Sequence, residues 1–299
     1  MFDQRTKTFL EVCKWMSYTK AAEALFITQP AVTQHIKFLE TRYNTRFFSY
    51  ANRQIGLTPA GREFKRYLKE GMAKERLVSE KIRELDKGER TIKFGATLTI
   101  GEYTIAPFIN DFHDKYKDYR ISIQIDNTRI LMEELDSGGI HFVLIEGLFN
   151  KSDYDSRLLA MKDFILVVHP ASGLANKNRP VLEDILKETL IIREKGSGSR
   201  EVLESGLAER NHSLDDFQET ISIGNVSLMK RMVQDGLGIT FMYEDAAKVE
   251  LDTGKLAKVD LGDFSISREF NFVSITDSPF KDELDSLYGY FKENINSFK

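Results

Sequence analysis

The sequence predicts an α+β multidomain protein: a helix-turn-helix head with a hairpin wing, a long linker helix, and an α/β body. Three observations carry this. Residues 18–40 (YTKAAEALFITQPAVTQHIKFLE) read as two short helices joined by a tight turn. Charge is divided unevenly. Residues 1–90 hold 18 basic and 11 acidic side chains, a net of +7, and the remainder holds 24 and 35, a net of -11. The overall net of -4 hides a basic head on an acidic body. Finally, the apolar rhythm changes at Thr91 from helical spacing to strand, helix, strand.

In the head, Thr28 is a good N-cap because its hydroxyl can accept from first-turn amides. Pro30 falls in that first turn, where a missing N–H costs nothing. Val32, Ile36 and Leu39 recur at i, i+4 and i+7 and form one buried stripe. Gln29, Thr33, Gln34 and Lys37 lie off it, and Ala21 and Ala22 let the preceding helix cross closely. This is a helix-turn-helix layout, whose second helix puts its N-terminal end into the DNA major groove. Gln29, Thr33 and Gln34, with Pro30 among them, are candidates for base contact, since Gln pairs bidentately with adenine. Lys37 and Arg62 suit phosphate. Residues 46–50 and 54–57 are β-like runs around Ala51-Asn52-Arg53, so a hairpin wing should lay Arg53 along the phosphate backbone.

Thr58-Pro59 opens the next helix, in which Phe64, Leu68, Met72, Val78, Ile82 and Leu85 keep helical spacing until Gly88 ends it. A helix of ~28 residues spans about 42 Å. Its apolar seam needs a partner, most simply a second copy, giving a dimer and an interrupted palindromic DNA site.

In the body, strands are expected at 92–95, 121–126, 142–146, 164–168, 190–192, 221–223, 239–243 and 270–275. Helices are expected at 106–115, 130–135, 200–210, 227–235 and 279–297. Such alternation predicts mostly parallel sheets. Ligands bind at the carboxyl ends of strands in such sheets. Thr97 and Thr99 follow the first strand, and Gly196-Ser-Gly-Ser-Arg200 opens a helix, where amides, Ser197 and Ser199 suit a carboxylate, sulfate or similar small anion. Asn225 opens another helix, and Gly147 follows Glu146 at a strand end. Arg200 can neutralise a carboxylate or pair with Glu201 or Glu204.

At 299 residues and 41% hydrophobic content, two or three domains with real cores are expected. No run approaches the ~18 apolar residues of a membrane span, and the N-terminal MFDQRTKTF has no apolar leader core. The single Cys13 excludes an internal disulfide, fits a reducing cytoplasm, and reads as a packing thiol four residues after Phe9. The five histidines lie far apart with no metal-ligand spacing, and there is no GxxxxGK[ST] or GxSxG. No catalytic residue, metal or cofactor is expected, and the chain reads as no enzyme.

From Phe9 through S-Y-T-K-A-A-E-A-L, T-Q-P-A-V-T-Q-H-I-K-F-L-E and L-T-P-A-G to Gly61, the chain resembles the LysR-type family of bacterial transcriptional regulators. The resemblance is weaker over the remainder, where length and domain order also fit. It implies a winged helix-turn-helix at 1–58, a dimerising helix at 59–90, and a periplasmic-binding-protein-like effector domain at 91–299. That domain would have two subdomains, 91–161 plus 269–299 and 162–268, with crossings near 161–163 and 268. It also implies that the segments around Thr97, Thr99, Gly196, Ser197 and Ser199 contribute to binding a small effector; Gly147 and Asn225 join them as candidates. The implied partners are double-stranded promoter DNA, a small anionic metabolite, further copies in a dimer or tetramer, and RNA polymerase, in the cytoplasm and away from membrane. Members often have a basic residue where this chain has Gln34, Gln where it has His35, Arg where it has Tyr50 and a basic residue where it has Gly56; Arg53 is retained. Two other readings exist: an enzyme using Thr97 and Ser197 at a phosphate site, which leaves residues 1–90 unexplained, and a transport receptor, against which the basic head counts.

Replacing Arg53 with Ala should weaken binding to all DNA sequences and lower the salt slope by about one unit. An unaltered slope in a salt titration would mean that the wing does not touch phosphate.

Overall fold

The computed structural model describes residues 3–51 and 54–295. Asn52 and Arg53, the expected wing tip, lie outside the described residues, as does the end of the helix expected to reach 297. The chain forms two compact units, one of Met1–Val78 with Asp136–Gly138 and the other of Ser79–Leu135 with Gly139–Lys299.

The first unit begins with α1 (Gln4–Trp15), whose first turn donates to the Asp3 carboxylate from the amides of Arg5 and Thr6 at 3.0 and 3.1 Å. Ser17 caps α2 (Tyr18–Leu25) and Thr28 caps α3 (Gln29–Arg42), with Pro30 in its first turn as the sequence required. Phe26 closes the turn between them at φ 55°, its amide bonded back to α2. The wing is an antiparallel pair, β1 (Phe48–Ala51) and β2 (Gln54–Leu57), in register from Phe48↔Leu57 to Ala51↔Gln54. Helix α4 (Pro59–Lys87) starts where the Thr58 hydroxyl accepts from Gly61 N at 2.9 Å. Gly61 must lack a Cβ, because one would run into the Phe47 carbonyl.

Aromatic rings lock these elements together. Phe47 of the wing base stacks on Phe64 of α4 at 4.5 Å, and Phe9 of α1 meets Phe64 edge-on at 4.9 Å. Val32, Ile36 and Leu39 are buried against this cluster, and Ala21 and Ala22 are buried where α2 crosses. Glu40, buried at the end of the α3 stripe, accepts from the amides of Phe47 and Phe48 at 2.8 and 3.4 Å and so ties helix to wing. Cys13 packs in the same core, and burial pushes its thiol up to about 12.

The apolar seam expected along α4 divides. Phe64 and Leu68 are buried in the head core, whereas Val78, Ile82 and Leu85 are 43%, 61% and 77% exposed. Gly88, at φ 67°, ends the helix with its amide on the Glu84 carbonyl at 2.8 Å.

The second unit runs β3 (Arg90–Thr97), α5 (Ile109–Lys115), β4 (Tyr119–Asp126), α6 (Thr128–Asp136), β5 (Phe142–Ile145), β6 (Asp155–Val168), α7 (Leu182–Ile185), β7 (Thr189–Arg193), α8 (Gly198–Ala208), β8 (Glu219–Ile223), α9 (Val226–Gln234), β9 (Thr240–Tyr243), α10 (Glu244–Asp252), β10 (Ala257–Val259), β11 (Ile266–Ser274) and α11 (Lys281–Asn294). A seven-stranded sheet is ordered β10-β6-β11-β5-β3-β4, with β9 also on β6; β7 and β8 make a separate parallel pair. The expectation of mostly parallel sheets is corrected here. β3 is parallel to β4 and β5, but β11 is antiparallel to β5 and β6, and β9 and β10 are antiparallel to β6. The reason is β6 itself, 14 residues where five were expected. Its first half, DSRLLAMKD, mixes charge and apolar residues without strict alternation, so its strand character comes from pairing with β11. Helix α10 and the three-residue β10 also escaped the sequence reading, and a wide π-turn at Ile100–Ile105 precedes the expected first helix of the body.

Two cores hold the body. Phe94, Phe142 and Phe272 stack across β3, β5 and β11 at 4.9 and 4.3 Å, with Phe291 of α11 against them. Ile165, Val167 and Ile191 pack with Val226, Met229 and Val233 of α9 and with Ala246 and Ala247 of α10. The last turns of α4 are fixed ionically within this unit. Glu80 accepts from Lys93 Nζ at 2.7 Å and lies 3.3 Å from His141 Nε2, on whose ring Phe280 stacks at 4.4 Å. The His141 contact, opposed by burial and helped by Lys93, holds the Glu80 carboxyl down at about 2.

Because this pKa lies below its ordinary 4.5, the stabilisation is present above pH 4.5 and lost as pH falls through about 2. Glu80→Gln should therefore cost roughly 2 kcal/mol at pH 7 in thermal unfolding, with wild type and variant converging as the pH falls toward 2. A constant difference across that range would mean that the contact is not ionic.

Candidate nucleic-acid interface and effector site

Because Val32, Ile36 and Leu39 face the core, Gln29, Pro30, Thr33, Gln34 and Lys37 are all exposed on α3. Gln29 Nε2 donates to Thr33 Oγ1 at 3.0 Å, and that hydroxyl donates to the Gln29 carbonyl at 3.2 Å. The two side chains are thus presented as one unit. They line a groove together with Ser17, Thr19, Arg46, Tyr50 and Gln54, so it is bounded by the starts of α2 and α3 and by the wing. Gln34 and Lys37 are exposed elsewhere on α3, and Arg62 is exposed and donates to the Leu57 carbonyl at 2.8 Å. Ser17, Thr19 and Arg46 were not singled out in the sequence, where Thr19 falls in the first helix and Arg46 in a β-like run. Arg46 is held by Glu40 at 3.1 Å with its guanidinium outward. Tyr50 is 77% exposed on the wing. Hydroxyls, amides and a guanidinium on a convex helix end make a surface suited to groove edges and phosphate.

In the body, the ends of β3 and β5 and the starts of α6 and α8 converge on a buried polar cluster. Thr97, the last residue of β3, donates to Glu146, which follows β5. Both side chains are buried. Gly147 and Gly198 pack so closely that a Cβ on Gly147 would lie 3.0 Å from Gly198 Cα and 2.8 Å from Thr128 Oγ1. Helix α8 has no side-chain cap; Ser197 and Ser199, both buried, bond hydroxyl to hydroxyl at 3.0 Å. Gly196 takes φ 90°, a conformation that L side chains rarely adopt, to turn the chain into that helix. Thr99 is buried at the start of the π-turn.

Asn225 is exposed, and its side chain caps α9 by accepting from Leu228 N at 2.8 Å. Arg200 is engaged by Glu204 at 2.8 Å and the Arg193 carbonyl at 3.0 Å, and Arg193 by Glu194 at 2.8 and 3.0 Å. Glu146 and Thr128 were missed in the sequence. The signal was slight: an acid closing an all-apolar strand, FVLIEG. Burial pushes the Glu146 carboxyl up to about 7, against the opposing bond from Thr97 and the more distant Arg193. Among the described residues no group of three or more His, Cys, Asp or Glu side chains could hold a metal ion, and no helix is long and apolar enough to cross a membrane.

Residues 4–62 match the family model for the bacterial regulatory helix-turn-helix protein, lysR family, and residues 86–294 match the LysR substrate binding domain. An HTH-type transcriptional regulator of Methanocaldococcus jannaschii is 30% identical over 265 residues, covering 88% of each chain. The HTH-type transcriptional regulator CysL of Bacillus subtilis is 25% identical over 276 residues, 91% of each. In fold, an OxyR variant of Corynebacterium glutamicum superposes with a TM-score of 0.62 at 19% identity, covering 97% of this chain and 91% of that one. The CcmR regulatory domain of Synechocystis, solved in complex with 2-PG, superposes with a TM-score of 0.62 at 15% identity over 70% of this chain and 99% of that one.

A carboxyl raised from 4.5 to about 7 favours the fold when protonated, so its contribution is complete below pH 4.5 and declines as pH rises through 7. Glu146→Gln should remove that decline, raising stability at pH 8 by on the order of 3 kcal/mol while changing it little at pH 4. Parallel melting curves for variant and wild type across this range would exclude a buried, proton-sharing carboxyl.

Proposed function

The chain belongs to the LysR family of transcriptional regulators, and from that premise we propose that it grips promoter DNA as a dimer and changes its grip when a small anionic metabolite enters the body. The observation that carries this is the exposed Gln29–Thr33 pair, set at the entry of a helix whose opposite face is wholly committed to the core. Such a helix end enters the major groove, with Arg46 and Tyr50 beside it for the backbone. The second copy covers Val78, Ile82 and Leu85, which lie at i, i+4 and i+7 on α4. The metabolite occupies the cluster around Thr97, Thr128, Ser197 and Ser199, whose donors are hydroxyls and helix-start amides. That the CcmR regulatory domain, similar in fold, was solved in complex with 2-PG supports a small-molecule effector. A tetramer, contact with RNA polymerase and a cytoplasmic location belong to the same proposal. The ligand acts only through different affinities for two arrangements of the assembly.

Thr33→Ala should reduce discrimination among operator variants by roughly 1–3 kcal/mol with little effect on non-specific binding. Unchanged ratios of specific to non-specific affinity, measured by fluorescence anisotropy at fixed salt, would remove Thr33 from the readout.

A further inference from the structure

The buried cluster has two poles of opposite hydrogen-bonding character. On one side are donors: the Ser197 and Ser199 hydroxyls, which bond only each other among the described contacts, and Thr128 Oγ1, 4% exposed and without a partner. On the other side is Glu146, a pure acceptor when ionised. A carboxylate offers about four acceptor positions. The Thr97 hydroxyl and the residue's own backbone engage it, and among the described residues no guanidinium or ammonium is shown bonded to it. Arg193, whose charge lowers its pKa, is committed to Glu194. The Gly147–Gly198 contact, with Thr128 against both, brings together the chain segments that carry the two poles. Above pH 7, where Glu146 is ionised, a bare anion placed there would satisfy the serine side but set a second buried negative charge against the acid, which costs free energy. A ligand that brings its own N–H or O–H satisfies both sides.

We propose that the effector is a small anion carrying its own hydrogen-bond donor, an ammonium or hydroxyl group, with its acid group at Ser197, Ser199 and Thr128 and its donor received by Glu146. This rests on the placement of the effector in this cluster and adds the chemistry by which the site selects among anions. Glu146 is therefore a specificity residue. It rejects simple carboxylates and oxyanions in favour of amino-acid-like or hydroxy-acid-like molecules.

The test uses the full chain and matched probes: alanine, lactate and propionate, and phosphoethanolamine, glycol phosphate and ethyl phosphate. Melting temperature is followed against probe concentration at pH 8, where Glu146 is ionised. Within a set, the donor-bearing members should half-saturate at concentrations about tenfold or more below the donorless one, the order expected for a hydrogen bond to a charged group. In Glu146→Met that preference should vanish while the response to propionate or ethyl phosphate persists; Glu146→Gln, which keeps the Thr97 contact, serves as the folding control. Equal response to donor-bearing and donorless probes, lost in Ser197→Ala, would overturn the donor rule and leave the effector site standing. A preference that survives Glu146→Met would assign the donor to another residue. No shift with any of the six would overturn both the rule and the placement of the anion.

Discussion

The body of this protein depends on the antiparallel pairing of two long strands, β6 and β11. β6 carries β9 and β10 at its far half, while β11 joins it to β5, β3 and β4, so a single ladder from Ile266↔Phe164 to Ser274↔Asp155 spans both cores. The buried polar cluster at the strand ends is positioned by it. Thr97 and Glu146 sit at the ends of strands ordered from β11, and Ser197 follows β7, which packs on the opposite side of the β6–β9 pair through the Thr240 hydroxyl to the Ile191 carbonyl at 2.6 Å. The register shifts between Phe270 and Asn271, which adds twist to the ladder at the level of Ala160 and Leu158.

The head was legible from local chemistry because each of its elements is specified within a few residues. Thr28 and Pro30, Thr58 and Pro59, and Gly88 all hold the cap and stop positions that their residue types announce. The recognition face followed from one helical stripe. In the body the short apolar strands were equally plain, since FVLI and TLIIR can be little else. What failed was long-range: half of β6 is a strand only because β11 lies beside it, and α10, with AA at its buried face and charge elsewhere, carries little apolar periodicity. The same limit hid the site's acid. Glu146 ends a strand like many surface acids, and only the approach of α8 encloses it.

Two glycines from distant parts of the chain decide how tight that enclosure is. Gly147 and Gly198 are each small enough for backbone to meet backbone, with Thr128 wedged against both. A methyl group at either position would hold the β5 and α8 edges apart and admit water to a carboxyl that is now desolvated. The glycine contact adjoins the acid whose proton affinity burial raises.

The exposed apolar residues of α4 carry a consequence for how the protein finds its site. Val78, Ile82 and Leu85 cover barely two turns. So short a strip supports only modest self-association in dilute solution. On a duplex with two half-sites, however, a bound copy confines its neighbour to a small volume, and the effective local concentration replaces the bulk one. In the proposed dimer, DNA then acts as a scaffold for pairing and pairing as a multiplier of DNA affinity. Occupancy by the proposed dimer consequently responds to protein level more steeply than a single head could, and half-site spacing becomes part of the code that is read.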